Sequence, residues 1–313
     1  MNKEKEISII QYLPLTHTRA TLRLVSKLHN QGIHAILDLE DSVQDPFSIQ
    51  NTIEIKSNAR EDFYNYISNN RFKDSGFSAQ PFIRINDNRS EFFNDDVNLI
   101  NALLSENFEI RGIFLPKTED CESINLLASK INKDIEIVPM VETEKGYLNA
   151  RNFISHPSVS YFHYGHFDYA LDSKQWPFYD PNHEEYWDVV DKLVNLSIEK
   201  ERGYIHTPFP FPQNSSLFWE MIRFMQTRYQ NAEILYCTIN AELSFSNLLS
   251  QNSILEFVPY PTDQSLLKAI ANEIVEDYEL GRANKRSFGV SNNRFIPPHQ
   301  YFAAKRYLSI LQT

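Results

Sequence analysis

The sequence predicts an α/β protein in which eight parallel strands, each followed by a helix, close into a (β/α)8 (TIM) barrel with a C-terminal helical extension. Three observations support this prediction. Short apolar runs rich in β-branched residues alternate with amphipathic segments along all 313 residues. There are eight such runs, which is the number that closes a barrel. The chain has only eight glycines and lacks the GxGxxG and P-loop patterns of open nucleotide-binding sheets.

The predicted strands are short and mostly apolar on both faces, as expected for strands that are buried on both sides of a parallel sheet. They are Ile9–Leu13, His34–Leu39, Pro81–Asn86, Gly112–Lys117, Glu136–Val141, Val159–Tyr164, Gly203–His206 and Ile234–Ile239. Amphipathic helices are predicted between them. In Arg19–His29, for example, Leu22, Val25 and Leu28 form one apolar stripe, and Trp187–Lys200 repeats this pattern.

The chain is predicted to form a barrel domain over residues 1–260 and a helical extension over residues 261–313. The extension contains two predicted helices, Gln264–Leu280 and His299–Leu311, around the polar segment Gly281–Asn293. Because that segment is charged and has the composition of a flexible turn, we expect the extension to reach away from the barrel.

The amino-acid composition limits the kinds of binding partner and the cellular compartment that we expect for this protein. The formal charge is −11, with 41 acidic and 30 basic residues, which argues against nucleic acid or an anionic membrane surface as a partner. Cys121 and Cys237 form no CxxC pair, as in a reduced cytosolic protein. Acidic residues within Met1–Leu15 argue against a signal peptide, and no run approaches the ~18 apolar residues of a membrane span. We therefore expect a soluble, cytoplasmic protein.

Two connections are rich in proline and aromatic residues. Leu171–Glu185 follows the sixth strand and Thr207–Ser216 follows the seventh. In a barrel both would lie on the C-terminal face, where active sites are built. They are compatible with an aromatic wall or lid over a site, and equally with packing against neighbouring subunits.

Polar residues occur at or near the C-terminal ends of four predicted strands. A buried strand is expected to be apolar, so these residues need another explanation. These residues are Asp38, Glu40 and Asp41 at the end of strand two; Arg84 on strand three, followed by Asn86 and Asp87; Glu142 and Glu144 at the end of strand five; and Gly165-His166-Phe167-Asp168 after strand six. The strand ends of a barrel meet at one mouth, and several carboxylates cannot stay together at pH 7 without a cation. Oxygen-only ligands favour Mg²⁺ or Mn²⁺ over zinc. Individually, each residue also has a structural explanation, such as a helix cap or a salt bridge.

Five motifs resemble, in order and spacing, those of the citrate lyase beta-subunit family. They are His34-Ala-Ile-Leu-Asp-Leu-Glu-Asp-Ser-Val43, Phe82-Ile-Arg-Ile-Asn86, Gly112-Ile-Phe-Leu-Pro-Lys117, Val138-Pro-Met-Val-Glu-Thr143 and Gly165-His-Phe-Asp168. The stretches Phe257–Pro261 and Pro298–Leu308 resemble C-terminal elements of the same family.

This resemblance implies roles for the polar residues. Glu142 and Asp168 match the family's Mg²⁺ ligands, and Arg84 matches the arginine that holds substrate. The other positions that the resemblance places at the site are Gly165, His166 and Phe167 beside the substrate, and Glu40 and Asp41, with Asp38 as a weaker candidate, around metal-bound waters. It also implies a homotrimer or homohexamer in which the C-terminal extension covers a neighbour's active site.

The chemistry implied is that of a carbon–carbon lyase or aldolase acting through the enolate of a small 2-oxo acid. A divalent cation and the Arg84 guanidinium would spread the developing negative charge. The general base stays open among His163, His166 and His206, although packing explains each ring more simply. A zinc site formed by His163, His166 and Asp168 is a second interpretation of the residues on and after strand six.

Two departures from the family pattern concern the substrate. Around strand eight, Ile234–Glu242 lacks the lysine, histidine and proline of the family's GK-x-x-IHP-x-Q segment, and Arg294–His299 lacks the aspartate of its M-I-D-x-P segment. We therefore expect a small 2-oxo or hydroxy acid in preference to a CoA thioester.

Two alternatives remain. The first is a lyase of the malyl-CoA or citramalyl-CoA type, with a basic groove from Lys145, Arg151 or Arg282–Arg286. The second is a catalytically silent metabolite-binding or assembly subunit. The retained acidic and arginine positions argue against the second.

Overall fold

The strand prediction is confirmed in a computed structural model, which describes residues 7–69, 72, 76–245, 255–284, 286, 288–291 and 294–311. Eight strands form a closed barrel in chain order, which excludes an open sheet of the nucleotide-binding kind. The strands are β1 (Ser8–Pro14), β2 (His34–Asp38), β3 (Phe82–Arg84), β4 (Gly112–Leu115), β5 (Glu136–Val141), β6 (Tyr161–Tyr164), β7 (Gly203–Ile205) and β8 (Ile234–Thr238). All strands except β1 lie within their predicted ranges. Several are shorter than predicted, because polar residues that the prediction placed at the strand ends belong to the following loops.

Helices follow the strands as the apolar periodicity predicted. They are α1 (Thr18–His29), α2 (Ile49–Ser68), α3 (Phe93–Ser105), α4 (Cys121–Lys130), α5 (Glu144–Phe153), α6 (His166–Asp172), α7 (Glu184–Lys200), α8 (Ser215–Arg228), α9 (Ala241–Phe245), α10 (Gln264–Ala283) and α11 (Pro298–Ile310). A 3-10 turn, Asp41–Val43, follows β2. In the part of the chain that the structure describes, no helix is both long and apolar enough to cross a bilayer.

The segment Gly281–Asn293, predicted as a flexible turn, is in part regular. Strand β9 (Gly289–Ser291) pairs antiparallel with β10 (Arg294–Ile296). A Cβ atom on Gly289 would lie 2.8 Å from the Cα atom of Tyr278, so the absence of a side chain lets this hairpin approach the backbone of α10 closely. The prediction was wrong here because charged composition alone does not reveal pairing between two three-residue strands. Residues 285, 287, 292 and 293 lie outside the described part of the chain.

The chain divides into two compact units. The N-terminal unit comprises residues 8–141 and 145–164; the C-terminal unit comprises residues 1–7, 142–144 and 165–313. Strands β1 to β6 belong to the N-terminal unit, where each pairs in parallel with the next. Strands β7 and β8 pair in parallel within the C-terminal unit. This division differs from the predicted one, which separates a barrel domain (residues 1–260) from a helical extension (residues 261–313). The predicted domain boundary stays a prediction.

The C-terminal extension packs on its own chain. Tyr278 of α10 stacks on Tyr301 of α11, with ring centroids 4.6 Å apart. Helix α11 also contacts α6, where Ala303 is buried with Ala170 and Phe178. Helix α11 therefore shares a core with α6 and with the loop that follows α6, all within the C-terminal unit.

Candidate active site

In the N-terminal unit, three carboxylates from the end of β2 surround one guanidinium. Arg84, at the end of β3, donates from Nε and Nη2 to the two carboxylate oxygens of Asp38, each at 2.7 Å. Its Nη1 lies 2.8 Å from Oε2 of Glu40 and 3.3 Å from Oδ2 of Asp41. Because β2 and β3 are register neighbours, with Asp38 paired with Arg84, the bidentate pair follows from the sheet itself.

Burial and charge oppose each other in this group of residues. Burial alone would raise the pKa of Asp38, but the Arg84 guanidinium and the hydrogen bonds it donates outweigh burial and lower that pKa to about 2. Burial lowers the pKa of Arg84, whereas Asp38, Glu40, Tyr12 and Asp41 together raise it well above its usual value. Asp38 and Arg84 are therefore both charged at neutral pH.

Two lysines complete this group. Lys56 of α2 is 1% exposed, and its ammonium donates to the backbone oxygens of Leu39 and Glu40, both at 2.7 Å. Lys117, the last residue of the Gly112–Lys117 motif, lies 3.2 Å from the second carboxylate oxygen of Glu40. Lys56 thus holds the backbone after β2, while Lys117 and Arg84 hold the Glu40 side chain.

In the C-terminal unit, Glu142 lies against the backbone of Gly165. A Cβ atom at Gly165 would overlap Oε1, Cγ and Cδ of Glu142. Glu142 is only 1% exposed, and Gly165 is the residue before helix α6, whose first turn carries Asp168. Glycine at this position therefore leaves room for a buried carboxylate beside the start of that helix.

Asp168 has a partner from the C-terminal extension. Its Oδ2 lies 3.2 Å from Nε2 of His299, the second residue of α11, and the two side chains are 13% and 14% exposed. The His299 ring also stacks on Phe167, with centroids 6.5 Å apart and an interplanar angle of 16°. The extension thus reaches the start of α6 in the same chain.

His166 is held by the loops that follow α6 and β7. Its Nε2 lies 2.8 Å from the backbone oxygen of Tyr179, and its backbone N–H donates to the hydroxyl of Thr207 at 3.3 Å. Burial lowers its pKa to about 4; the hydrogen bond to Tyr179 opposes this shift, and Arg294 adds to it. The ring is therefore neutral at pH 7.

The other two candidate proton carriers sit among aromatic side chains. His163 packs between Tyr12 and Phe114, with ring centroids 5.9 and 5.6 Å away. His206 is fully buried, and its ring nitrogens lie 2.8 and 3.3 Å from the hydroxyls of Tyr186 and Tyr204. These contacts favour the packing role for both rings, and they give no support to the zinc reading.

The two proline-rich aromatic loops are covered by the extension of the same chain. After α6, Trp176 stacks on Tyr307 at 5.6 Å, and Tyr179 packs edge-on against Tyr260 at 4.6 Å. After β7, the backbone oxygen of Pro210 accepts from the N–H of Phe295 at 2.9 Å. These loops form a surface on which the extension rests, an arrangement that neither sequence-based reading anticipated.

Two residues of the extension and one lysine were missed by sequence reasoning. Arg294 and His299 are the first and last residues of the segment that lacks the family aspartate, and two basic side chains there were a signal. Arg294 forms a 2.7 Å ion pair with Asp180. Lys56 lies on the buried stripe of α2 that includes Thr52, Ala59, Phe63 and Ile67. A lysine within an otherwise uncharged stripe was the signal there.

Taken together, the closed barrel and the acidic residues after its strands define a protein of the (β/α)8-barrel class. Within that class, the chain belongs to the HpcH/HpaI aldolase/citrate lyase family, whose model matches residues 18–196. A citrate lyase subunit beta-like protein of Deinococcus radiodurans is 27% identical over an alignment of 157 residues that covers 48% of this chain. The match spans about half, 49%, of that relative's length.

Solved structures show the same fold at low sequence identity. Haloferax volcanii malate synthase, in a ternary complex with pyruvate and acetyl-CoA, is 14% identical with a TM-score of 0.65, covering 99% of this chain and 92% of that one. CitE of Mycobacterium tuberculosis, in complex with magnesium, acetoacetate and coenzyme A, is 13% identical with a TM-score of 0.56, covering 98% of both chains. The citrate lyase beta subunit of M. tuberculosis, complexed with oxaloacetate and magnesium, is 15% identical with a TM-score of 0.55, covering 75% and 92%.

Proposed function

We propose that this protein is a Mg²⁺-dependent carbon–carbon lyase or aldolase whose substrate is a small 2-oxo or hydroxy acid. The observation that carries the proposal is the buried Glu142 carboxylate against Gly165, in the same unit as Asp168. Family membership supports the reaction class. The magnesium, oxaloacetate and acetoacetate held by the structural relatives support the cofactor and the type of substrate.

The residues present fit a hard divalent cation. Glu142 and Asp168 offer carboxylate oxygens, the donors that Mg²⁺ prefers, and one or two carboxylates with several waters is its usual protein environment. The Glu142 side chain occupies the space that a Cβ atom of Gly165 would fill, so this carboxylate lies directly beside the start of α6. We propose that Glu142 and Asp168 hold the cation. When bound, the cation would supply a positive charge close to the enolate oxygen of the substrate.

Arg84 is proposed to bind the substrate carboxylate. Its bidentate contact with Asp38 fixes the guanidinium plane, while the longer contact with Asp41, at 3.3 Å, is the easier one for a substrate oxygen to replace. Glu40 and Asp41 keep the proposed role of ordering water molecules around the cation. Gly165, His166 and Phe167 are proposed to line the substrate through the start of α6.

In the cleavage direction, the β-hydroxyl group of the substrate gives its proton to a base and becomes the carbonyl of one product, while the bond between Cα and Cβ breaks and its electron pair passes into the enolate of the other product. A guanidinium such as Arg84, already oriented by Asp38, stabilises that negative charge without having to reorganise. Because this stabilisation grows as the bond breaks, loss of Arg84 should lower kcat and not only weaken substrate binding.

Substitution of Glu142 tests the proposal directly. Glu142→Gln keeps the size of the side chain but removes its charge, so calorimetry should show at least about tenfold weaker Mg²⁺ binding. Release of pyruvate, oxaloacetate, glyoxylate or acetaldehyde from a panel of hydroxy acids should fall to background. The matched control is Glu144→Gln, because Glu144 is exposed on the first turn of α5.

Unchanged Mg²⁺ affinity in Glu142→Gln would reject the metal assignment. A wild-type protein that binds Mg²⁺ but converts no member of the panel would instead favour the catalytically silent metabolite-binding or assembly subunit.

An acyl-CoA lyase is the second candidate, and the coenzyme A and acetyl-CoA of two structural relatives favour it. Of the basic residues considered for a CoA groove, Lys145 forms a 2.9 Å ion pair with Glu119. Calorimetric titration with coenzyme A separates the candidates, because dissociation in the micromolar range would support the thioester. We also propose a homotrimer or homohexamer, which sedimentation velocity would test.

A further inference from the structure

We propose that His299 is a protein ligand of the divalent cation, binding it beside Asp168. This inference rests on the proposed function, because it assumes that Asp168 holds a cation. It adds a neutral nitrogen donor next to the Asp168 carboxylate, and that donor comes from the C-terminal extension of the same chain.

The spacing of the two side chains suits one ion between them. Nε2 of His299 and Oδ2 of Asp168 are 3.2 Å apart. Adjacent ligands of an octahedral ion with bonds of about 2.1 Å lie about 3.0 Å apart, so both atoms could bind one ion after very small movements. The side chains are 14% and 13% exposed, so both are largely buried but neither is sealed from solvent.

The extension holds His299 at this position through several contacts. The imidazole stacks on Phe167 at an angle of 16°, which orients the ring. Pro298 begins α11 and restricts its first turn, directly before His299. Further along α11, Arg306 donates to the backbone oxygen of Leu171 at 3.2 Å, which ties the helix to the end of α6. A ligand on a helix fixed at both ends loses little conformational entropy on binding.

An imidazole ligand changes which metals bind well. Carboxylate-only sites suit Mg²⁺, whereas a nitrogen donor strengthens binding of transition metals, in the order Mn²⁺ below Fe²⁺ below Co²⁺. The site should therefore bind Co²⁺ and Mn²⁺ more tightly than Mg²⁺, and His299 should account for much of that difference.

Pulsed electron paramagnetic resonance of the Mn²⁺-loaded full chain tests direct ligation. A coordinated imidazole gives a nitrogen modulation, which should be present in the wild type and should change frequency after labelling with ¹⁵N-histidine. His299→Gln should abolish this signal, and the control His156→Gln, whose ring contacts Asn125 at 3.0 Å, should retain it. The labelled wild type contains no substitution, so this measurement remains decisive even if His299→Gln folds poorly.

Calorimetry with Mg²⁺, Mn²⁺ and Co²⁺ gives the second readout. His299→Gln should weaken Co²⁺ binding by about tenfold or more and Mg²⁺ binding much less. If the wild type binds Mn²⁺, and Glu142→Gln weakens that binding, but no nitrogen signal appears, the His299 inference is wrong and the proposed function stands. If the wild type binds none of the three metals, the proposed function itself fails.

Discussion

At the scale of single residues, Gly165 and Lys56 show how one side chain, or its absence, sets the position of charged neighbours. Gly165 leaves space that the Glu142 carboxylate occupies. Lys56 instead places a charged side chain in a buried position, where it is only 1% exposed. Burial lowers the pKa of Lys56, and four nearby carboxylates oppose that change. Each position leads to a separate prediction.

Replacing Gly165 with alanine should displace Glu142. The added methyl group would overlap Oε1 and Cγ of the carboxylate, so either the side chain or the start of α6 must move. We expect a loss of about 1–3 kcal/mol in the free energy of unfolding, as for other overpacked sites, with weaker binding of Mg²⁺. Urea denaturation and calorimetry measure the two effects. Full Mg²⁺ affinity in Gly165→Ala would show that the position of Glu142 is not restricted as described.

Replacing Lys56 with methionine should destabilise the end of β2. The variant leaves the backbone oxygens of Leu39 and Glu40 without their charged donor, at an expected cost of about 2–4 kcal/mol in the free energy of unfolding. Lys268→Met, at an exposed position of α10, is the control and should stay within about 0.5 kcal/mol of wild type. Equal urea midpoints for the two variants would contradict a structural role for Lys56.

At the scale of elements, the C-terminal extension is fastened to the loop after α6. Arg294 of β10 lies 2.7 Å from Oδ2 of Asp180, and their side chains are 19% and 9% exposed. Burial raises the pKa of Asp180, and the charges of Arg294 and His183 act in the opposite direction. Because Tyr260 also donates to the backbone oxygen of Pro177 at 2.7 Å, the loop is held at several points.

Arg294→Met should loosen the extension by leaving a buried carboxylate without its counter-ion. Removing one partner of a fully buried pair costs about 3–5 kcal/mol, and we expect about 2–3 kcal/mol here because Arg294 is partly exposed. Urea denaturation measures the loss, and limited proteolysis should show earlier cleavage within residues 255–311. Arg228→Met, which removes an exposed contact with Asp191 in the same unit, serves as the control. Identical proteolysis of both variants would argue against a fastening role for Arg294.

At the scale of the whole molecule, stability should fall as the pH is lowered, and His34 should contribute to that fall. Burial, then the charges of Arg111 and His29, lower its pKa to about 4 from an unfolded value of about 6.5. Between these values the unfolded chain takes up a proton that the folded chain does not. The stabilisation is thus complete above pH 6.5 and is lost as the pH falls through about 4.

Urea midpoints measured from pH 7.5 to pH 4.5 test this prediction. The midpoint of the wild type should decrease over this range, and that of His34→Gln should decrease less steeply. Parallel curves for the two proteins would show that His34 titrates alike in the folded and unfolded chains. Asp38 should add a separate loss at lower pH, between its unfolded value near 3.9 and its folded value of about 2.

The sequence by itself determined the elements of the barrel and the positions of its acidic residues. Alternation of apolar runs with helical stripes is a local property, so it can be read from neighbouring residues, and β5 was predicted with the bounds that the structure shows. Asp38 and Arg84 were also predicted as strand-end residues. Their pairing follows once β2 and β3 are neighbours in a parallel sheet.

Only the tertiary structure decided how side chains distant in the sequence meet. The contact of His299 with Asp168, the ion pair of Arg294 with Asp180 and the covering of the aromatic loops by the extension all depend on where α10 and α11 pack. Local periodicity shows that a helix has an apolar face, but not which surface will bury that face. That choice depends on shape and charge complementarity between segments far apart in the chain, and this is why the extension was predicted to reach away from the barrel.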